Sequence, residues 1–173
     1  MTSSGPYSQS LNFSHMYNVR DLRSSSKHKN ITINQDSIMS IIINNPDFTK
    51  IKYMMELSGL ETVYNDLQSN FTLFIPSDTA ILSLGENIFL NMDRNTAKAI
   101  IQSCTIKGKI PYKILTDSKA TYFYTLCSPN RLYINTFKDQ TYINDNIKII
   151  QTDIIASNGI IHVIVKLVNP III

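Results

Sequence analysis

Apolar residues recur at helical spacing in the first half of the chain and at strand spacing in the second half. Ile38, Ile41 and Ile42 fall on one face of a predicted helix, which Pro46 ends. A second predicted helix ends near Gly59, and its apolar face consists of Phe48, Ile51 and Met55.

Beyond a helix-like run at residues 96–103, the pattern changes to short β-branched and aromatic runs separated by turn residues. These runs predict strands at residues 121–127, 131–137, 141–143 and 147–152, and from residue 160 onward. Turns are predicted at residues 128–130, 138–140 and 145–146. Helices therefore precede strands along the chain, which indicates an α+β fold.

The segment FTLFIPSDTAI, which begins with Phe71 and Thr72, reads as a short strand followed by a helix start. Pro76 cannot continue a sheet ladder, so we expect the strand to end before it. Ser77 then stands where a helix N-cap belongs, and Asp78 is placed to favour the positive end of the helix dipole.

A second segment, DIIASNGIIHVIVKLVNP, runs from Asp153 to Pro170 and combines a turn with a strongly apolar strand. Asn158 and Gly159 form the pair that most readily supplies positive φ, so we expect a tight turn with Gly159 in that conformation. His162 lies inside the following apolar run. A single histidine there is more typical of a brace than of a catalyst, and Asp153 is interpreted in the same way.

These two segments resemble, in order and in spacing, the two signature boxes of the fasciclin domain family, and the resemblance covers roughly residues 31–170. The resemblance implies an α+β, fasciclin-like fold in which N-terminal helices pack on a mixed, largely antiparallel β-sheet wedge. It also implies a protein-binding module of the kind found in secreted or surface adhesion proteins.

One segment between the boxes departs from the family pattern. Ser103 and Cys104 stand where the family carries a Tyr-His pair, and Lys107 replaces a proline. In animal members the Tyr-His segment is implicated in integrin recognition, so this departure argues against integrin binding. Val165 also stands where the family has Asp. We expect candidate partner contacts in this divergent segment, at Ser103, Cys104, Lys107 and Lys109.

The net charge of +3 lies entirely in the first thirty residues. This Ser-rich stretch has few aliphatic residues and cannot bury enough surface to fold alone. We therefore predict an extended basic arm at residues 1–30 and a fasciclin-like domain at residues 31–173. The arm is either a solvated tail or a tether that orders on a partner. Its candidate contact residues are Arg20, Arg23, Lys27 and Lys29.

Nothing in the chain predicts catalysis, a cofactor or a metal site. Two of the three histidines lie in the arm, and the five glycines are scattered singly, so neither a catalytic triad nor a phosphate-binding loop has candidates. Four basic residues diluted among serines are a weak nucleic-acid signal, so we do not expect that partner. A small-ligand or carbohydrate binder would need a pocket that the sequence does not reveal.

The biological setting of the protein is inferred from its composition. The chain has no Trp, few glycines and an excess of Ile, Asn, Lys and Tyr, which is typical of AT-rich genomes, including those of large DNA viruses. No secretory leader or membrane-spanning run is visible, and two cysteines are too few for a disulfide framework. We expect a protein made in the cytoplasm that joins a virion or similar assembly as a minor capsid or cement-type component, tethered to neighbouring subunits by its arm. The alternative is a secreted or cell-surface adhesion protein, found outside cells.

Overall fold

The computed structural model describes residues 30–83, 87–117 and 120–168. The four basic residues predicted to make contacts from the arm, and Pro170 at the end of the second box, lie outside the described residues. In the described part, the chain forms helices first and strands last. The helices are α1 (Ile38–Asn44), α2 (Thr49–Ser58), α3 (Glu61–Asn65), α4 (Asp78–Leu82), α5 (Asn87–Leu90), α6 (Arg94–Ser103) and α7 (Tyr112–Thr116).

Capping residues mark where the early helices begin and end. Gly59 ends α2 with φ 75°, in the left-handed conformation that glycine adopts most readily. Ser77 is the N-cap of α4 and accepts a hydrogen bond from the Ala80 N–H at 3.4 Å, which confirms its predicted position. Asp78 lies in the first turn of α4, and its carboxylate also accepts from the Lys50 N–H at the start of α2, at 2.9 Å.

The strands form one mixed sheet in the order β2-β1-β7-β6-β5-β4-β3. Only the β1–β7 pair is parallel among the described ladders, so the sheet is largely antiparallel, as predicted. Their bounds are β1 (Phe71–Pro76), β2 (Thr105–Lys107), β3 (Ala120–Tyr124), β4 (Arg131–Phe137), β5 (Gln140–Ile143), β6 (Ile147–Ala156) and β7 (Gly159–Ile164).

Several strand boundaries differ from the sequence prediction. β3 ends at Tyr124 rather than at residue 127, and β6 continues to Ala156 rather than ending at residue 152. β1 includes Pro76, which pairs with Ile164 of β7, whereas the proline was expected to lie beyond the strand. β7 ends at Ile164, although the apolar run continues to Val168. Apolar content alone does not show where a ladder stops, because residues beyond a strand can also be buried. Leu167 and Val168 are buried in this way.

The two ends of the strand order approach each other across the wedge. Ile106 in β2 forms an isolated antiparallel bridge with Thr125, just after β3. The Leu126 N–H donates to the Thr105 carbonyl at 2.9 Å. β6 spans both halves of the sheet, since its start pairs with β5 and the rest of the strand pairs with β7 through two register shifts. The contacts between β2 and the segment after β3 therefore limit how far these two ends of the sheet can separate.

The hydrophobic core lies between the early helices and the central strands. The largest fully buried side chains come from α1, α2, α3 and β1, and they include Ile38, Met54, Tyr64 and Phe74. Tyr64 is buried with its hydroxyl 2.7 Å from the Thr105 hydroxyl, and burial raises the pKa of Tyr64 far above its usual value. The core therefore joins the helices directly to both β1 and β2.

Asn158 ties the helices to the sheet with one fully buried side chain. Its Oδ1 accepts from the Ile38 N–H at the start of α1, at 2.7 Å. Its Nδ2 donates to the carbonyls of Tyr64 and Asp66, both at 2.9 Å. Its own carbonyl accepts from the Phe71 N–H at 3.1 Å. Both amide hydrogens and the side-chain oxygen are thus satisfied, as burial requires.

The turn that carries Asn158 differs from the predicted one. Neither Asn158 nor Gly159 adopts positive φ, so the expectation of a left-handed Gly159 is wrong. Glycine is needed there for space, because an added Cβ would lie 2.3 Å from the Phe71 carbonyl oxygen and 2.4 Å from Cδ1 of Ile38. Positive φ occurs instead in the β4–β5 turn, at Lys138 and Asp139.

Asn158→Asp keeps the side-chain shape but removes both N–H donors and places a carboxylate against two carbonyl oxygens. We expect the free energy of unfolding at pH 7 to fall by about 3 kcal/mol or more, because buried partners lose their hydrogen bonds. Urea denaturation measures the change. Asn91→Asp, at an exposed position, is the control. Equal stability of the two variants would contradict the assigned role of Asn158.

Gly159→Ala tests the close approach of β7 to α1 and β1. The new methyl group must displace the Phe71 backbone, so we expect a loss of about 1–3 kcal/mol in unfolding free energy. Ile155→Ala, at an exposed residue of β6, is the matched control and should change stability by less than about 0.5 kcal/mol. A Gly159→Ala variant as stable as this control would show that the close approach at Gly159 does not limit the stability of the domain.

Candidate interaction surface

His162 is fully buried in β7 and bonds through both ring nitrogens. Nδ1 accepts from the Asp153 N–H at 3.2 Å, so Nε2 carries the proton and donates to the Ile110 carbonyl at 3.0 Å. The ring stacks on Phe74, with 5.4 Å between centroids and 23° between planes. Every polar atom of this ring is therefore occupied by the scaffold.

Asp153 lies at the irregular part of β6 and has φ 57°. Its Oδ1 accepts from the Tyr112 N–H, at the start of α7, at 2.9 Å. Asp153 and His162 together hold the chain at residues 110–112 against β6 and β7. The second box thus fixes the path of the segment that precedes α7.

Thr72, in the first box, also holds this segment. Its hydroxyl donates to the Gly108 carbonyl at 2.7 Å and accepts from the Ile110 N–H at 2.8 Å. The side chains of Lys107 and Lys109 are exposed on this braced segment, and the Lys109 ammonium donates to the Ser157 carbonyl. Lys107 and Lys109 are therefore accessible, and their predicted partner contacts stay a prediction.

Ser103 and Cys104 are each only 1% exposed, so the expectation that their side chains contact a partner does not fit this structure. They occupy the end of α6 and the residue after it, where the chain turns inward to β2. The Cys104 Sγ donates to the Ile101 carbonyl at 3.1 Å, and burial raises the pKa of its thiol to about 12. The family difference at this position lies inside the domain, not on its surface.

The strands from β3 to β6 present an outer face that the sequence analysis did not single out. Ladder register places outward residues of neighbouring strands side by side, as in the pairs Tyr122↔Tyr133 and Asn135↔Tyr142. Five of the nine outward side chains are aromatic, and none is a carboxylate. The nine residues, called the outer face below, are Tyr122, Tyr124, Arg131, Tyr133, Asn135, Phe137, Gln140, Tyr142 and Lys148.

Three rings of the outer face are largely open to solvent, and two of its rings are in contact. Tyr122 and Tyr133 have centroids 4.8 Å apart. The Arg131 guanidinium lies 5.2 Å from the Tyr122 ring and 5.8 Å from the Tyr124 ring. Tyr122, Tyr124 and Phe137 are 60%, 70% and 62% exposed. The alternation of these residues was visible in the sequence, but it does not show which side of the sheet is covered.

The described residues contain no group of three or more His, Cys, Asp or Glu side chains placed to hold a metal ion. None of the helices in residues 30–83, 87–117 and 120–168 combines the length and the apolar character that crossing a bilayer requires.

Known proteins show the same architecture. The family model of the Fasciclin domain matches residues 46–170, which is most of the chain. The chain belongs to the fasciclin domain family. This fasciclin domain is similar to Stabilin-2 of Rattus norvegicus, with 37% identity over 57 residues (33% of this chain), and to Stabilin-2 of Mus musculus, with 28% identity over 106 residues (58% of this chain). It spans only 4% of the length of each of these relatives.

A solved structure of a FAS1 domain pair from the insect cell adhesion molecule Fasciclin I has the same fold, with a TM-score of 0.63 and 21% identity. The similarity covers 77% of this chain and 50% of that one. The predicted α+β fold of helices on a mixed sheet is thereby confirmed. Fasciclin domains are cell-adhesion and interaction modules, and they mediate protein interactions.

His162 makes the stability of this fasciclin domain depend on pH. Burial lowers the pKa of its imidazole in the folded state, more than the Ile110 hydrogen bond and the Asp153 charge raise it. The unfolded chain therefore binds a proton more readily, so stability is full above the unfolded pKa of about 6.5 and falls as the pH drops below it, by up to about 1.4 kcal/mol per pH unit.

Urea denaturation between pH 7.5 and pH 5 measures this loss, and His162→Gln, which does not titrate, should be less pH-dependent in that range. The difference between the two chains isolates His162 from the other titrating groups. Parallel stability curves for the two chains would contradict a neutral, buried His162.

Proposed function

We propose that this fasciclin domain is a non-enzymatic protein–protein interaction module and that the outer face is its main binding surface. The observation that carries the proposal is the set of five aromatic side chains on one side of the sheet, three of them exposed and two of them beside Arg131. Tyr, Phe and Arg are enriched at the centres of protein interfaces, and Tyr and Arg are frequent hot-spot residues. A contiguous exposed aromatic surface is also typical of an interaction site.

The hydrogen bonds of the polar residues in the two boxes support a binding role over catalysis. Asn158, His162, Asp153 and Thr72 direct their hydrogen bonds to backbone groups of the domain. Catalytic groups instead need a free donor or acceptor near a substrate. These polar residues of the two boxes serve the fold, and recognition is left to the surface.

We further propose that the chain is a structural component of a large assembly, such as the capsid of a DNA virus with an AT-rich genome. In this proposal residues 1–30 are a tether to neighbouring subunits, and the protein is made in the cytoplasm and reaches its site by assembly. The basic arm and the codon-biased composition support this setting. Lys107 and Lys109 are secondary contact candidates, because they are exposed on a braced segment.

The alternative function is a secreted or cell-surface adhesion protein. The similarity to a structure from an insect cell adhesion molecule favours it. Recovery of the protein outside cells, glycosylated at the exposed Asn70, would select this alternative.

Removing residues 1–30 separates the tether from the domain. We expect the shortened chain to unfold at the same urea concentration as the full chain and to be incorporated into purified particles from the source cells at least about tenfold less. Quantitative mass spectrometry of the particles measures incorporation. A full-length chain with serine at the four basic arm positions is the matched control for arm length, and should also lose incorporation. Unimpaired incorporation of the shortened chain would contradict the tether.

A further inference from the structure

Arg131 is held in place by aromatic rings and has no acidic partner of its own. Its exposed guanidinium lies against both Tyr122 and Tyr124. In the part of the chain that the structure describes, no carboxylate pairs with it. Stacking on rings restrains the planar guanidinium while its N–H donors remain available, which is the arrangement suited to binding a carboxylate.

We propose that the outer face binds an acidic segment of a partner protein, with a partner carboxylate on Arg131 and apolar partner side chains on the tyrosine rings. This inference rests on the proposed function of the outer face and adds the chemical class of its partner. The exposed amide of Gln140 lies on the same face and supplies further hydrogen-bonding groups.

The charges of the outer face favour an acidic partner. Its two ionisable groups other than tyrosine are the cations Arg131 and Lys148. Two carboxylates lie in the adjoining turns, at Asp139 and Asp145, and the Asp145 carboxylate accepts from the Asn135 amide at 2.8 Å. A partner carboxylate therefore meets the Arg131 cation and no carboxylate among the nine side chains of the face itself.

A second copy of the chain fits the outer face less well. A twofold dimer through this face would set Arg131 and Lys148 of one copy near the same cations of the other, with no carboxylate on either face to offset them. A nucleic acid also fits less well, because two cations neutralise few phosphates, although the rings could stack on bases.

The test is to select a random peptide library displayed on phage against the immobilised full-length chain and to sequence the bound peptides. We expect enrichment of peptides with Asp or Glu beside Pro or aromatic residues. Binding of the most enriched synthetic peptide should weaken about tenfold or more in Arg131→Ala and in Tyr124→Ala. It should weaken in Arg131→Lys, which keeps the charge but loses the planar fork.

Lys98→Ala removes an exposed cation from α6 and is the matched control, with unchanged affinity expected. Urea denaturation confirms that each variant is folded. The inference is overturned if no peptide is enriched, if the enriched peptides lack acidic residues, or if they bind Arg131→Ala as tightly as the unaltered chain.

Two further measurements test other occupants of the outer face. Tighter, Arg131-dependent binding of an oligothymidylate than of the selected peptide would overturn the inference in favour of single-stranded nucleic acid. Concentration-dependent dimerisation that Tyr124→Ala abolishes would overturn it in favour of a second copy. If peptide binding fails while Tyr124→Ala still prevents incorporation into particles, the proposed function stands and only the acidic partner is wrong.

Discussion

The structure depends on the burial of one amide side chain, that of Asn158. This residue lies at the turn between β6 and β7, yet its hydrogen bonds reach the start of α1, the end of α3 and the first residue of β1. The partners Ile38 and Asn158 are 120 positions apart in the chain, so the contact forms only when the last strand meets the first helix. Because a buried amide with unpaired groups is costly, few other arrangements of these elements are compatible with the sequence.

The same constraint explains why the two boxes carry structural rather than chemical residues. Gly159 follows Asn158 and lets the strand approach the Phe71 carbonyl and Ile38. Thr72 and His162 then hold residues 108–110 through hydrogen bonds. Each of these side chains satisfies backbone groups that would otherwise be buried without partners. The consequence for function is that recognition must rely on side chains that the scaffold does not engage, and the outer face has such residues.

The sequence predicted local features well where the local chain decides them. Ser77 caps a helix, Gly59 ends one, and β4 has its predicted bounds, since capping and alternation depend on neighbouring residues. It failed where distant parts of the chain decide the outcome. Gly159 was assigned a left-handed turn conformation, whereas glycine is needed there because atoms of α1 and β1 lie close to it. No local sequence pattern shows that contact. Cys104 was assigned to the surface, although it is buried in the core. The outer face was also missed, because the exposed side of β3 and β4 depends on which sheet face the helices cover.

Lys109 and Arg131 are both exposed cations, and they differ in what holds them in place. Lys109 lies on a segment held by His162 and Thr72. Protonation of His162 removes the acceptor for the Asp153 N–H and keeps the Nε2–H donor to Ile110. Arg131 is the first residue of β4, where it pairs with Tyr124 of β3, and its orientation is set by Tyr122 and Tyr124 instead. Protonation of His162 is therefore expected to disturb its contact with Asp153 and to leave the ring contacts that orient Arg131 in place.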